Sequence, residues 1–359
     1  MPALRPTEPG GDEKFCGSST RYFSSVLNPG FPGVWPGGFA GVAGGLDTIV
    51  DMTRRELLAA GAACATTLWA KSHIDKANIS AITDEIGEST DESMAFAHEY
   101  GLQWVEIRDR KNPGSRKEYF TLTEPEIKAD ALRFHTEGLK VSFVNTSLMK
   151  FTWPGMEPAR KRQEDAPARE KRLATEKARY ERRAEDLQKA IRCAQIMGCD
   201  RVRVFTGTRV EKPETVYQQV ADVIGEMSKT AEREKVYLLI ENEGSQNVAL
   251  SHELAEILKL IPSKWVGMNW DPHNAYGRET SYPDGYDTLP KKRILNIQIK
   301  AKGVMPASPE KEDWKAIMTA LQKDDYKYRI GLETHIFDKT LVACAHTSMD
   351  EIFRIVSEI

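Results

Sequence analysis

From Ile79 to the C-terminus, short β-rich runs alternate with longer amphipathic stretches, and this alternation restricts the possible folds more than any other feature of the chain. Runs dense in Val, Ile and aromatic residues lie at Ile79–Thr83, Trp104–Arg108, Val141–Asn145, Val202–Thr206, Val236–Glu241, Val266–Asp271, Ile294–Lys300 and Arg329–Glu333. Between them are segments with helical punctuation. These are Asp91–Tyr100, Glu124–Glu137 before Gly138, Glu170–Met197 before Gly198, Pro213–Glu234 with proline at its start, Ser251–Leu260 before Pro262, Lys311–Lys323 and Thr347–Ile359. Thr280–Pro290 reads as a loop with a short or distorted helix. A strand followed by a helix, repeated, predicts a parallel sheet, because each crossover helix returns the chain to the same sheet edge in the same direction. Eight such units predict an α/β protein of the (β/α)8 TIM barrel type over residues 79–359. No GxGxxG or GxxxxGK[ST] loop follows any strand, which argues against a doubly wound nucleotide-binding sheet.

The first 78 residues follow another logic. Residues 1–51 are rich in Gly and Pro without periodicity and cannot bury enough apolar surface to offset the entropy of ordering. Met52-Thr53-Arg54-Arg55-Glu56-Leu57-Leu58 then leads into a mildly apolar Ala/Gly run ending at Ala70, before the polar Lys71. Residues 52–78 therefore read as a twin-arginine-type signal and linker, with Met52 as the natural start and export to the periplasm as the expected destination. The competing reading is a short amphipathic helix with two solvated arginines, in a cytoplasmic protein. The apolar run is too short to span a bilayer.

A formal charge of -3 gives no general attraction to nucleic acid or anionic membrane. The charge-dense stretch from Glu157 to Arg183 interleaves acids with bases and reads as a solvated helix or an arm against a second subunit. Five cysteines without CxxC spacing point neither to a disulfide framework nor to a zinc site, and Cys193 and Cys199 read as buried small apolar residues.

Chemistry concentrates where the late strands end, which in this barrel is the face that carries active sites. Tyr237–Glu241 ends in a carboxylate, as do Val266–Asp271 and Arg329–Glu333, while Ile294–Lys300 carries Gln298. An apolar run that ends in a charge is costly unless the charge is compensated. Any one such residue reads as a salt-bridge partner or helix cap. Together, Glu241, Asp271, Gln298 and Glu333 predict a shared cation. All-oxygen donors favour Mn2+ or Mg2+, with Co2+ or Zn2+ as further candidates.

Three motifs, Leu239-Ile240-Glu241-Asn242, Trp270-Asp271-Pro272-His273-Asn274 and Gly331-Leu332-Glu333-Thr334-His335, carry a resemblance to the xylose isomerase-like superfamily. The chain is similar in particular to its tagatose/psicose 3-epimerase, hydroxypyruvate isomerase and inosose dehydratase group. The resemblance implies a metal held by Glu241, Asp271, the position of Gln298, and Glu333, with Glu241 and Glu333 also forming the acid/base pair. It departs at the seventh strand, where the family pattern His-x-Lys-Asp meets Gln298-Ile299-Lys300-Ala301. The implied activity is a metal-dependent isomerisation or epimerisation of a ketose or keto-sugar through an enediolate. A lyase or dehydratase acting by β-elimination shares the first step, and a non-catalytic sugar-binding or partner subunit is the alternative that Gln298 favours.

Expected substrate contacts are His273, Glu106, Lys300, His335 and Trp270. Phe151 and Trp153 are possible apolar faces for a sugar ring, or else core. Lys300 shares its strand face with Gln298 and either neutralises an oxyanion or pairs with Glu333 or Asp271. The expected partners are a small carbohydrate and further copies of the chain, as a dimer or tetramer, with neither nucleic acid nor a transmembrane span.

Overall fold

The computed structural model describes residues 73–359. The expectations for residues 1–51 and for the twin-arginine segment lie outside the described residues. Ten strands follow in chain order: β1 (Ile79–Ala81), β2 (Trp104–Ile107), β3 (Asp109–Asn112), β4 (Ser115–Glu118), β5 (Lys140–Val144), β6 (Arg201–Val204), β7 (Tyr237–Glu241), β8 (Val266–Trp270), β9 (Ile294–Lys300) and β10 (Arg329–Glu333). Eight of them form one parallel sheet in the order β1-β10-β9-β8-β7-β6-β5-β2. A parallel bridge between Ile82 and Glu106 joins the two ends, so the sheet curves into a nearly closed barrel with helices around it. The (β/α)8 expectation holds, with strand limits within a residue or two of those read from the sequence. Among the described residues, no helix is long and apolar enough to cross a membrane.

Local sequence explains the helix limits. Thr123 and Glu126 form a reciprocal capping box at the start of the helix Glu124–Thr136, with Pro125 in its first turn. Gly198, at φ 71°, closes the helix Arg183–Met197 in the left-handed conformation that glycine adopts without a Cβ penalty. The segment expected as one helix from Glu170 to Met197 is two, Ala166–Glu181 and Arg183–Met197. The first of these is mostly solvated, as its mixed charges require.

The sequence reading did not anticipate the antiparallel hairpin β3–β4, which follows β2 directly. Its strands are polar and only partly buried, so they carry no hydrophobic alternation. The turn at Pro113-Gly114, with Gly114 at φ 75°, was the available signal. The hairpin carries Arg116 to the mouth of the barrel, where its guanidinium meets Asp84 at 2.8 Å and also pairs with Asp109.

Inward-facing side chains fill the barrel in layers. Phe143, Leu239 and Leu295 form a small apolar cluster apart from the main core. Two residues further along β5 and β7, on the same face, come Asn145 and Glu241. Above the apolar cluster lies a polar layer centred on Glu106, which is fully buried. It accepts hydrogen bonds from Ser80 Oγ (2.8 Å), Asn145 Nδ2 (2.8 Å), Gln298 Nε2 (2.7 Å) and Asn296 Nδ2 (3.2 Å). Room for this carboxylate exists because β10 has glycine at 331: an added Cβ there would lie 2.0 Å from Glu106 Oε1.

Candidate metal and acid/base centre

Three strand ends deliver carboxylates to one point. Glu241 closes β7, Asp271 follows β8 and Glu333 closes β10, and a carboxylate oxygen from each lies within 4.8 Å of the others. All three residues are buried. Register explains the convergence: Glu333 pairs with Lys300 across β10 and β9, which places both at the same height of the mouth. A cavity of about 270 Å³ opens there, bordered by Arg108, Lys150, Arg203, Glu243, Lys300 and His335 as well as Glu241 and Glu333.

Every carboxylate has cationic company. Arg203, almost fully buried, bonds Glu241 Oε2 at 2.9 Å, and Asn269 Nδ2 donates to the same oxygen at 2.6 Å. Arg108 contacts Glu333 at 3.2 Å, Asp84 at 2.7 Å and Glu85 at 2.5 Å. The Lys300 ammonium lies 3.3 Å from Asp271 Oδ2 and 3.7 Å from Glu333 Oε2, and donates to Asn274 Oδ1 at 2.7 Å. Lys300 thus forms the carboxylate pairing foreseen as its structural role.

These surroundings push the acids apart. Burial raises Glu241, and the nearby Arg203 only partly opposes it. Burial, opposed by Lys300 and reinforced by Glu333 and Glu241, lifts Asp271 to about 7. Burial also acts against ionisation of Glu333, but Lys300, Arg203 and Arg108 outweigh it and hold this carboxyl well below the usual range. Lys300 itself is raised: burial disfavours the ammonium, but Asp271, Glu333 and Glu241 more than compensate.

The donor set fits a hard divalent cation. Asp271 Oδ2, Glu333 Oε2 and Gln298 Oε1 are buried oxygens to which no hydrogen bond is donated. Such oxygens are costly unless something positive faces them, as Lys300 does for Asp271 Oδ2 and Glu333 Oε2. Gln298 differs from the carboxylates in one respect. Its amide nitrogen is committed to Glu106, so only its oxygen can serve as a donor.

The expected substrate contacts divide. His335 borders the cavity, with its backbone at φ 54° and its N–H donating to Glu85 Oε2 at 2.5 Å. Burial and the nearby Lys300 lower its imidazole to about 4, so it is neutral near pH 7. Trp270 is a correction: it precedes Asp271 by one residue, faces the opposite side of β8, and is fully buried with Nε1 on Ser251 Oγ at 3.1 Å. Glu106 lies sealed in the barrel interior rather than on the cavity wall, and it does not pair with Arg108. Phe151 and Trp153 are core.

His273 is also directed elsewhere. The strand has ended at Trp270, and the turn Pro272–Ala275 aims the imidazole at Glu310 (3.3 Å) and Glu312 (3.9 Å), stacked on Tyr276. Burial, eased by Ser281 and reinforced by Glu279, raises Glu312 from 4.5 to about 7. Between these values the unfolded chain ionises at 312 and the folded chain does not, so this group lowers stability as pH rises from 4.5 to 7. Glu312→Gln is therefore expected to match the parent protein in thermal unfolding below pH 4.5 and to gain on it steadily up to pH 7. A difference that does not vary with pH would show that Glu312 ionises normally.

Arg203, Arg108, Asp84, Glu85, Asn269 and Phe337 belong to the site but were not foreseen. Asp84 and Glu85 lie three and four residues past the end of β1, in the turn Thr83–Glu85, so the strand-end logic applied to the late strands comes close to them. Phe337 is exposed at the rim, edge-on to His335 at 4.7 Å.

A family model described as xylose isomerase-like TIM barrel matches residues 94–343. No curated protein matches the chain by sequence. Among solved structures, L-ribulose 3-epimerase superposes with a TM-score of 0.56 at 16% identity, covering 79% of this chain and 95% of that one. The probable 3-DHS dehydratase AsbF from Bacillus anthracis gives 0.54 at 12% identity, covering 77% and 98%. The IOLI protein with a bound zinc atom gives 0.56 at 15% identity, covering 78% and 98%. At these identities the likeness concerns the fold.

Proposed function

Because this chain belongs to the family of xylose isomerase-like TIM barrels, we propose that it is a metal-dependent sugar isomerase or epimerase that moves a proton beside a ketone carbonyl through an enediolate. One observation carries this reading. Glu241 and Glu333 reach the same point from β7 and β10 in opposite electrostatic environments, next to buried oxygens that lack donors. Two carboxyls whose environments push their protonation apart are what acid–base catalysis on one carbon requires.

Glu333, kept ionised by Lys300, Arg203 and Arg108, is the base that removes the proton. Glu241, which burial favours in its protonated form, returns one from the other side. Glu241, Asp271 and Glu333 would hold the cation, Mn2+ or Mg2+ from the all-oxygen set, with the Gln298 oxygen as a further donor. When bound, such an ion supplies Lewis-acid polarisation of the carbonyl. Neutral His335 and the rim residue Phe337 orient a sugar at the cavity wall. Residues 52–78, read as a twin-arginine-type signal, support export, with the metal loaded before it.

The test is incubation of the purified chain with a panel of keto-sugars and keto-glycosides in deuterated water, with and without Mn2+. The expected result is metal-dependent deuterium entry at the carbon beside the carbonyl, with an epimer or isomer as product. An unsaturated product or released aglycone would make the enzyme a lyase, since elimination shares the first step. No exchange with any sugar, in a protein that neither contains nor takes up a divalent ion, would favour a binding subunit.

A further inference from the structure

Lys300 stands apart from the other cations of the mouth. Arg203 belongs to Glu241, Arg108 is held by Asp84 and Glu85 with its Nη1 on Glu333 Oε1, Arg116 pairs with Asp84 and Asp109, and Lys150 pairs with Glu243. Lys300 instead faces the two carboxylates, Asp271 and Glu333, that the metal would need. It meets both at ion-pair separation without donating a hydrogen bond to either, and its one side-chain hydrogen bond given by the structure is to Asn274. Asn274 is fixed independently, by its N–H to Asp271 Oδ1 (3.0 Å) and its Nδ2 to the Asn242 carbonyl (2.9 Å).

The charge count is then informative. Ionised as a bound metal would require, Glu241, Asp271 and Glu333 bring three negative charges, and Lys300, Arg203 and a share of Arg108 already balance most of them. A divalent ion added to this set would be overcompensated. Arg203 cannot leave, because Nε and Nη2 are anchored on the Thr146 and Asn145 carbonyls. Lys300 has a flexible four-carbon stem and borders the open cavity, as does the carboxylate Glu243.

We propose that Lys300 is the resident cation of the metal-free centre, and that its ammonium and a divalent ion are alternative occupants of the Asp271–Glu333 pair. Resting on the reading of this trio as a cation site, it adds a consequence: the lysine sets how much free metal the protein needs, and it keeps the fold neutral when metal is scarce.

The experiment is Mn2+ titration, by calorimetry and by electron paramagnetic resonance, of the full chain and of Lys300→Met and Lys300→Arg, with thermal unfolding of each without metal. Lys300→Met is expected to bind Mn2+ about tenfold or more tightly than the parent, to melt lower without metal, and to regain that loss on adding Mn2+. Lys300→Arg retains the charge and is expected to bind no more tightly than the parent. Should Lys300→Met fail to fold without metal, Lys300→Gln, which keeps a donor for Asn274, serves in its place. Equal affinity in the parent and the uncharged variants overturns the proposal, as does absence of Mn2+ binding in all of them. The enzymatic reading fails differently: no sugar exchanges deuterium, whatever the affinities are.

Discussion

Glu333→Gln is expected to lower turnover by about three orders of magnitude, within the range for loss of a positioned general base. The amide preserves volume and an acceptor for Arg108, but it cannot take a proton from carbon. The stability cost should be modest for so buried a charge. Removing one partner of a buried pair commonly costs about 3–5 kcal/mol when the other is left alone. Here Arg108 keeps Asp84 and Glu85, and Lys300 keeps Asp271, so neither cation is stranded. The companion change Glu241→Gln separates the two roles. With Glu333 intact, the proton can still leave and return on one face, so this variant should exchange substrate hydrogen for solvent deuterium while forming little epimer. Glu333→Gln should do neither. Deuterium exchange and product formation followed in parallel, with circular dichroism as the fold control, check both statements. Near-parent turnover in Glu333→Gln would remove Glu333 from the mechanism.

Gly331→Ala is expected to destabilise the barrel by about 3–5 kcal/mol, from overpacking together with broken buried hydrogen bonds. The new methyl would lie 2.0 Å from Glu106 Oε1 and 2.7 Å from its Cδ. That carboxylate cannot yield cheaply, because four side chains donate to it from around the barrel interior. Displacing it would leave Asn145 and Gln298 without their acceptor and Glu106 buried without its donors. Denaturant unfolding measures the loss. Gly225→Ala is the internal reference: nothing lies near its Cβ and it sits within the helix Tyr217–Glu234, so alanine there should gain about 1 kcal/mol. Similar effects at the two positions would show that the interior around Glu106 is looser than its hydrogen bonds imply.

The barrel was legible because burial on both faces makes parallel strands read as apolar runs, and because the helices between them carry their caps in sequence. The strand-end carboxylates were legible for a related reason. A charge that ends an apolar run needs compensation, and Glu241, Asp271 and Glu333 show this without any knowledge of their neighbours. Alternation also held enough information to turn Trp270 away from the site, since it precedes Asp271 by one residue on β8.

Beyond the strand limits that logic loses its hold. His273 lies two residues past Asp271, yet a tight turn intervenes and directs it to Glu310 and Glu312. The hairpin Asp109–Glu118 carries no hydrophobic signal, because little of it is buried. Strand alternation already allowed Lys300 as a partner of Asp271 or Glu333, but the arginines that compensate the carboxylates were decided by tertiary structure alone. Sequence by itself specified the eight strands and the three acids at their ends, because burial and pleat act along the chain. Whether those acids face a metal, an arginine or a lysine depends on barrel closure and on the β9–β10 register, which bring Lys300 level with Glu333 and set Arg203 against Glu241. Such contacts join residues far apart in the chain, and electrostatic energy depends on their separation in space.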